Sequence, residues 1–254
     1  MRAATPMQRA TLGRKTPELP ALTATRFLHL MANAGLYQDS AGTTPAVADG
    51  DPVGLWLDQS GEVVSHFTTT AAQRPTLRTN FVGSLPAIQF DGVDDRLFPD
   101  GDLTTLTAAT MFIVVKLDAD PPAAGAETGL MEYTSAASKT AFPWTDGIIY
   151  DAFGTTVRKT TVNPGTSLAQ WNIYGVVTAS GLWANYLNGT ELYTTGTNTV
   201  GWSSAANSRL GMSLGAPTGY LKGHIAEMLV YDAALDSTDR ALVEAYLRAK
   251  WGTP

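Results

Sequence analysis

Residues 223–232 read Gly-His-Ile-Ala-Glu-Met-Leu-Val-Tyr-Asp, and a short polar turn leads from them into a segment with apolar residues at Leu242, Val243, Tyr246, Leu247 and Trp251. The first run is almost wholly apolar and bounded by Gly and Asp, as expected of a buried strand. The second spaces its apolar residues three and four apart, which places them on one stripe of a helix. Asp236 or Ser237 can cap that helix and Gly252 can close it, so the spacing predicts a helix over 237–251. A buried strand running straight into an amphipathic helix calls for a sheet with the helix packed on its outside or its edge.

The rest of the chain supplies the sheet. Runs with strand character cover 53–57, 62–67, 81–90, 110–117, 147–151, 155–162, 171–178, 182–188, 191–195, 209–214 and 224–231. Thr110-Met111-Phe112-Ile113-Val114-Val115 is continuously apolar, as a central strand covered on both faces would be. Asn188-Gly189 between two apolar runs is a type I′ hairpin signal. Many short strands separated by turn residues indicate an all-β fold: one sandwich of two antiparallel sheets over residues 53–254, closed by the helix. Ahead of it, residues 21–52 read as a lead-in, with a short helix over residues 24–34 and a loop over 39–51. Residues 1–20 contain Pro6, Pro17 and Pro20 and no period, which makes them an extended arm.

Charge separates the arm from the body. Arg2, Arg9, Arg14 and Lys15 stand against Glu18 in the first 20 residues, whereas the whole chain of 254 residues has a net charge of −6. An acidic body is a poor nucleic-acid ligand, and four charges without interleaved aromatic residues are a weak nucleic-acid motif. The basic arm instead suits an acidic protein surface, since an arm without its own core gains order only by packing on something else. There are no cysteines, which removes disulfides, thiolate metal sites and a cysteine nucleophile. No apolar run is long enough to span a bilayer. No apolar stretch follows the basic residues at the N-terminus, so a secretory signal is not expected.

The ordered series Gly54-Leu55-Trp56-Leu57-Asp58-Gln59-Ser60-Gly61, Arg74-Pro75-Thr76-Leu77 and Pro86-Ala87-Ile88-Gln89-Phe90-Asp91-Gly92-Val93-Asp94-Asp95 resembles the concanavalin A-like lectin/glucanase superfamily. With the Tyr186-Leu187-Asn188-Gly189 hairpin and the strand and turn over 223–235, it looks like the laminin-G-like branch. The resemblance runs over residues 50–254 and implies a jelly-roll sandwich. The phrase Tyr37-Gln38-Asp39-Ser40-Ala41-Gly42-Thr43-Thr44-Pro45, followed by residues 48–54, resembles a lead-in found in phage and prophage virion proteins that carry this domain. Residues 1–20 match nothing in the family.

Several side chains are candidates for chemistry. Glu227 shares a strand face with Ile225, Leu229 and Tyr231, so burial would raise its pKa, and it could act as an acid. Glycoside hydrolysis needs a second facing carboxylate, however, and the Glu-x-Asp-x-Glu strand that the resemblance would supply is absent. A structural glutamate is the simpler reading, and no catalytic residue is assigned. Asp91, Asp94 and Asp95 could offer oxygens to Ca²⁺, or shape a tight turn through side-chain to backbone hydrogen bonds. No other cofactor is expected. Trp144, Trp202 and Tyr220 fall near loops and could stack on sugar rings, while Trp183 belongs in the core. His29, His66 and His224 are isolated and form no zinc motif.

These readings combine into one expectation: a non-enzymatic structural protein of a tailed-phage virion, assembled in the host cytoplasm. Arg2, Arg9, Arg14 and Lys15 would anchor it on capsid or tail proteins, and the sandwich would face host glycans. Self-association is compatible with such a sandwich. A free lectin and a glycan hydrolase are the alternatives.

Overall fold

The computed structural model describes residues 17–62, 64–120, 128–134, 140–213 and 219–254, so Arg2, Arg9, Arg14 and Lys15, expected to anchor the chain, lie outside the described residues. The first strands are β1 (Arg26–Met31), β2 (Leu36–Tyr37), β3 (Leu55–Trp56), β4 (His66–Phe67), β5 (Thr76–Val82), β6 (Leu85–Asp91) and β7 (Phe98–Pro99). Next come β8 (Ala108–Leu117), β9 (Met131–Glu132), β10 (Tyr150–Asp151), β11 (Lys159–Thr160), β12 (Asn172–Ala179), β13 (Leu182–Leu187) and β14 (Thr190–Thr195). The last strands are β15 (Arg209–Leu210), β16 (Met212–Ser213), β17 (Gly219–Tyr220) and β18 (Lys222–Tyr231), before the helix α1 (Ser237–Trp251).

The protein is an all-β sandwich of antiparallel sheets with one C-terminal helix. Its main sheet runs β14-β13-β12-β8-β18-β6-β5, and β1 joins it along the second half of β18. The continuously apolar β8 is central, paired with β12 on one side and β18 on the other. The opposite layer is assembled from short pieces. The sheet β2-β3-β4-β7 is linked to the β15–β9 pair through the bridge between Leu97 and Leu210, with β16–β17 and β10–β11 as further pairs.

Alternation assigns the faces. Met111, Ile113, Val115, Tyr174, Val176, Trp183, Met228 and Val230 point inward and are buried. They meet the opposite layer directly: the Tyr174 hydroxyl donates to Asp151 at 2.6 Å and Trp183 Nε1 donates to the Phe153 carbonyl at 3.0 Å. Trp183 is thus a core residue with its one donor satisfied. The outward positions Phe112, Glu227 and Leu229 lie under α1, whose Val243, Tyr246, Leu247 and Trp251 are buried. That is why β8 is apolar on both faces.

Three expectations take their form from the structure. The helix occupies 237–251; Asp236 accepts from the Thr238 and Asp239 amides, and Gly252 adopts the left-handed conformation at φ 67. Asn188 and Gly189 both have positive φ, 52 and 83, as a type I′ turn requires. The short helix expected over residues 24–34 is instead strand β1, antiparallel to β18 with His29 opposite Leu229 and Leu30 opposite Met228. Leu, Met and Ala favour a helix there in isolation, but the exposed edge of β18 needs a hydrogen-bonding partner and the alternating Leu28 and Leu30 fill the core.

Candidate functional site

Glu227 is fully buried, and its carboxylate is completely coordinated. Oε1 accepts from His29 Nε2 at 2.6 Å and from the Tyr246 hydroxyl at 2.8 Å. Oε2 accepts from Lys250 Nζ at 2.7 Å and from Trp251 Nε1 at 2.6 Å. Burial pushes this carboxyl up, but the His29 hydrogen bond and the Lys250 ammonium outweigh it and the net direction is down. The rise expected from its apolar neighbours is corrected on that ground: the partners come from β1 and α1, not from β18. A charged carboxylate with both oxygens occupied joins strand to helix.

The turn after β6 brings Asp91, Asp94 and Asp95 together, with one carboxylate oxygen of each within 4.8 Å of the others. Asp91 Oδ1 accepts from the Val93 and Asp94 amides, and Asp95 Oδ2 accepts from the Asp91 amide. These are the bonds of a tight turn. Burial, with the charges of Asp91 and Asp94 beside it, lifts the Asp95 carboxyl to about 7, against the pull of the Asp91 amide. These three residues could hold a cation, but the backbone amides already explain their positions.

The three aromatic candidates have different surroundings. Trp144 belongs to a turn in which its amide donates to the Ile148 carbonyl and its carbonyl accepts from the Gly147 amide. Tyr220 lies against Arg96, which donates to its hydroxyl at 3.3 Å and to the Asp94 carbonyl at 3.0 Å, so Tyr220 stands next to the aspartate turn. Arg96 and Arg209 both lie over the Phe98 ring, 5.8 and 5.5 Å from its centroid.

Trp202 is built differently. It lines a surface cleft of about 360 Å³ together with Thr104, Thr107, Ser180, Val200 and Gly201. Its Nε1 donates to the Leu106 carbonyl at 2.7 Å, and its ring meets Phe153 edge to face at 5.0 Å. Gly154 lets the indole lie close, since a Cβ there would come within 2.6 Å of the ring. The indole is therefore held in one orientation, half-exposed beside three hydroxyl groups. Aromatic surface next to hydroxyls suits a neutral sugar ring, which offers an apolar C–H face and a polar rim.

Sequence reasoning overlooked Phe81 and Trp171. Phe81 stacks on His224 with ring centroids 4.2 Å apart, and Trp171 meets Phe81 at 80°. Both are single aromatic residues in otherwise ordinary runs, and only the folded sheet brings them together.

No family model and no curated protein matches the sequence. Solved structures share the fold. A Trypanosoma rangeli sialidase in complex with 2,3-difluorosialic acid superposes with a TM-score of 0.58 and 14% identity, covering 91% of this chain and 33% of its own. A second complex of that sialidase, with 2,3-difluoro-KDN, gives 0.59 and 15%, covering 97% and 36%. The receptor-binding domain of botulinum neurotoxin C/D mosaic serotype gives 0.55 and 12%, covering 91% of this chain and 55% of its own. The chain thus spans about a third of the sialidases and about half of the toxin domain. The expectation of a non-enzymatic protein is corrected by these neighbours. The sialidases are enzymes, and a fold shared with them gives no ground for excluding catalysis; a missing Glu-x-Asp-x-Glu strand removes one catalytic layout only. At such identities the likeness is one of fold.

Proposed function

We propose that this protein is a glycan-recognition module of laminin-G-like type, borne on a tailed-phage particle and held there by residues 1–20. The observation that carries the glycan reading is the Trp202 cleft: a half-exposed indole immobilised by Leu106 and Phe153 and flanked by Thr104, Thr107 and Ser180. An aromatic platform that loses little freedom on binding lowers the entropic cost of holding a sugar. The sialidase with a bound sialic-acid analogue and the toxin receptor-binding domain support this reading at the level of fold. The phage placement draws its support from the resemblance of residues 37–54.

A glycan array followed by titration of the strongest hit tests the cleft. Trp202→Ala and Thr107→Val should each bind about tenfold more weakly or worse, a loss of ~1.4 kcal/mol. Full binding by both variants overturns the assignment. Shortening of the bound glycan during the titration replaces simple recognition with hydrolysis.

A further inference from the structure

A row of polar side chains crosses the outer face of the main sheet, beside the part that α1 covers. Lys116 on β8 pairs with His224 on β18, and His224 pairs with Gln89 on β6. From β5, Arg78 Nε donates to Gln89 Oε1 at 2.6 Å. Trp171 stands at the start of β12, where Asn172 pairs with Val115, so it borders Lys116. Phe81 comes from the irregular stretch between Arg78 and Val82, where β5 departs from regular pairing with β6.

The rings form a corner. Phe81 lies flat on His224, tilted by only 20°, while Trp171 meets Phe81 edge-on at 6.3 Å and His224 at 6.4 Å. Phe81 is 37% exposed, the only aromatic residue among the exposed large hydrophobic side chains of the described residues. Lys116 turns its ammonium to this ring, 5.7 Å from the centroid. Arg78, half-exposed, lies 3.6 Å from the exposed Asp49 carboxylate. His224 is 4% exposed; its Nδ1 is buried without a hydrogen-bond partner, 3.4 Å from Asp118 but not aligned with it. Burial keeps its imidazole uncharged down to about pH 4, although Asp118 favours the charged form. Near neutrality the positive charge of the shelf therefore resides on Lys116 and Arg78.

We propose that this shelf is a second sugar site, selective for carboxylate-bearing pyranoses of the uronic type. The apolar face of the sugar ring would pack in the Phe81–Trp171 corner, and its carboxylate would accept a charge-assisted hydrogen bond from Lys116, with Arg78 and Gln89 facing the hydroxyls. A ring alone would take neutral sugars, and a lysine alone any anion; the two together select the acidic sugar. The shelf shares no residue with the Trp202 cleft and stands or falls independently of it.

Calorimetric titration of the full chain with short oligogalacturonates, and with the same oligomers methyl-esterified, tests the assignment. The acidic form should bind, should weaken with added salt, and should perturb the Trp171 indole resonance. Esterification, Lys116→Gln and Phe81→Leu should each weaken binding about tenfold or more. An unchanged unfolding midpoint certifies that each variant is folded. Trp202→Ala should leave this binding intact, which separates the shelf from the cleft. Equal binding of acidic and esterified oligomers, full binding by Lys116→Gln, or no binding by the parent chain overturns the proposal.

Discussion

At the scale of the residue, Glu227 shows what a strand pattern reveals and what it hides. Its place on one face with Leu229 and Tyr231 was legible by alternation, but the bulge between Ile225 and Glu227 was not, and it turns Ile225 to the inner face opposite Val115. Its chemistry was not legible either, because its donors come from residues 29, 246, 250 and 251. Glu227→Gln leaves Lys250 buried beside a neutral amide and breaks the charge pairing, so it should cost about 3–5 kcal/mol in urea unfolding. The pH dependence has a definite sign. The folded pKa of Glu227 lies below its ordinary 4.5, so its contribution is present above that value and is lost as pH falls through the lower folded value. Below pH 4.5 the parent chain should therefore lose stability more steeply than Glu227→Gln. Parallel slopes in urea midpoints measured from pH 6 to pH 3 would remove the coordinated carboxylate from the account of acid stability.

At the scale of the element, α1 and β1 make a contrast. The helix was legible from end to end because its signals are local: a capping aspartate, one apolar stripe, a closing glycine. Asp236→Ala removes the acceptor for the Thr238 and Asp239 amides and should cost about 1 kcal/mol in thermal or urea unfolding. A neutral effect would mean that packing of Tyr246, Leu247 and Trp251 holds the first turn without its cap. Strand β1 was misread because its identity is not local. Phe27-Leu28-His29-Leu30-Met31 suits a helix by composition, and only the open edge of β18, some 200 residues later, makes it a strand. The same edge turns His29 toward Glu227, so the misreading of the strand and the missing partner of the glutamate have one cause.

At the scale of the whole molecule, the sandwich was readable because turns, strand spacing and the apolar β8 act together over the chain. The two proposed binding surfaces were readable only in part. Trp202 was singled out on its own merits, whereas Phe81, Trp171 and His224 meet only after five strands, β12-β8-β18-β6-β5, pair in a non-sequential order. Tyr220, read as a sugar platform, accepts a hydrogen bond from Arg96 at its hydroxyl. The placement on a particle is tested by deletion: removing residues 2–20 should release the protein from phage particles while the sandwich still unfolds cooperatively. Undiminished sedimentation with particles would overturn the anchoring role of the arm.

Pro17 and Gly252 line the same cleft, between the β5–β6 turn and the end of α1. The two ends of the described chain thus meet at a single corner, and the Glu227 cluster bolts β1 to α1 nearby. A partner joined through residues 1–16 or behind Gly252 would meet the described body at that one corner. The order of the two in a tandem chain could be exchanged without rethreading a strand.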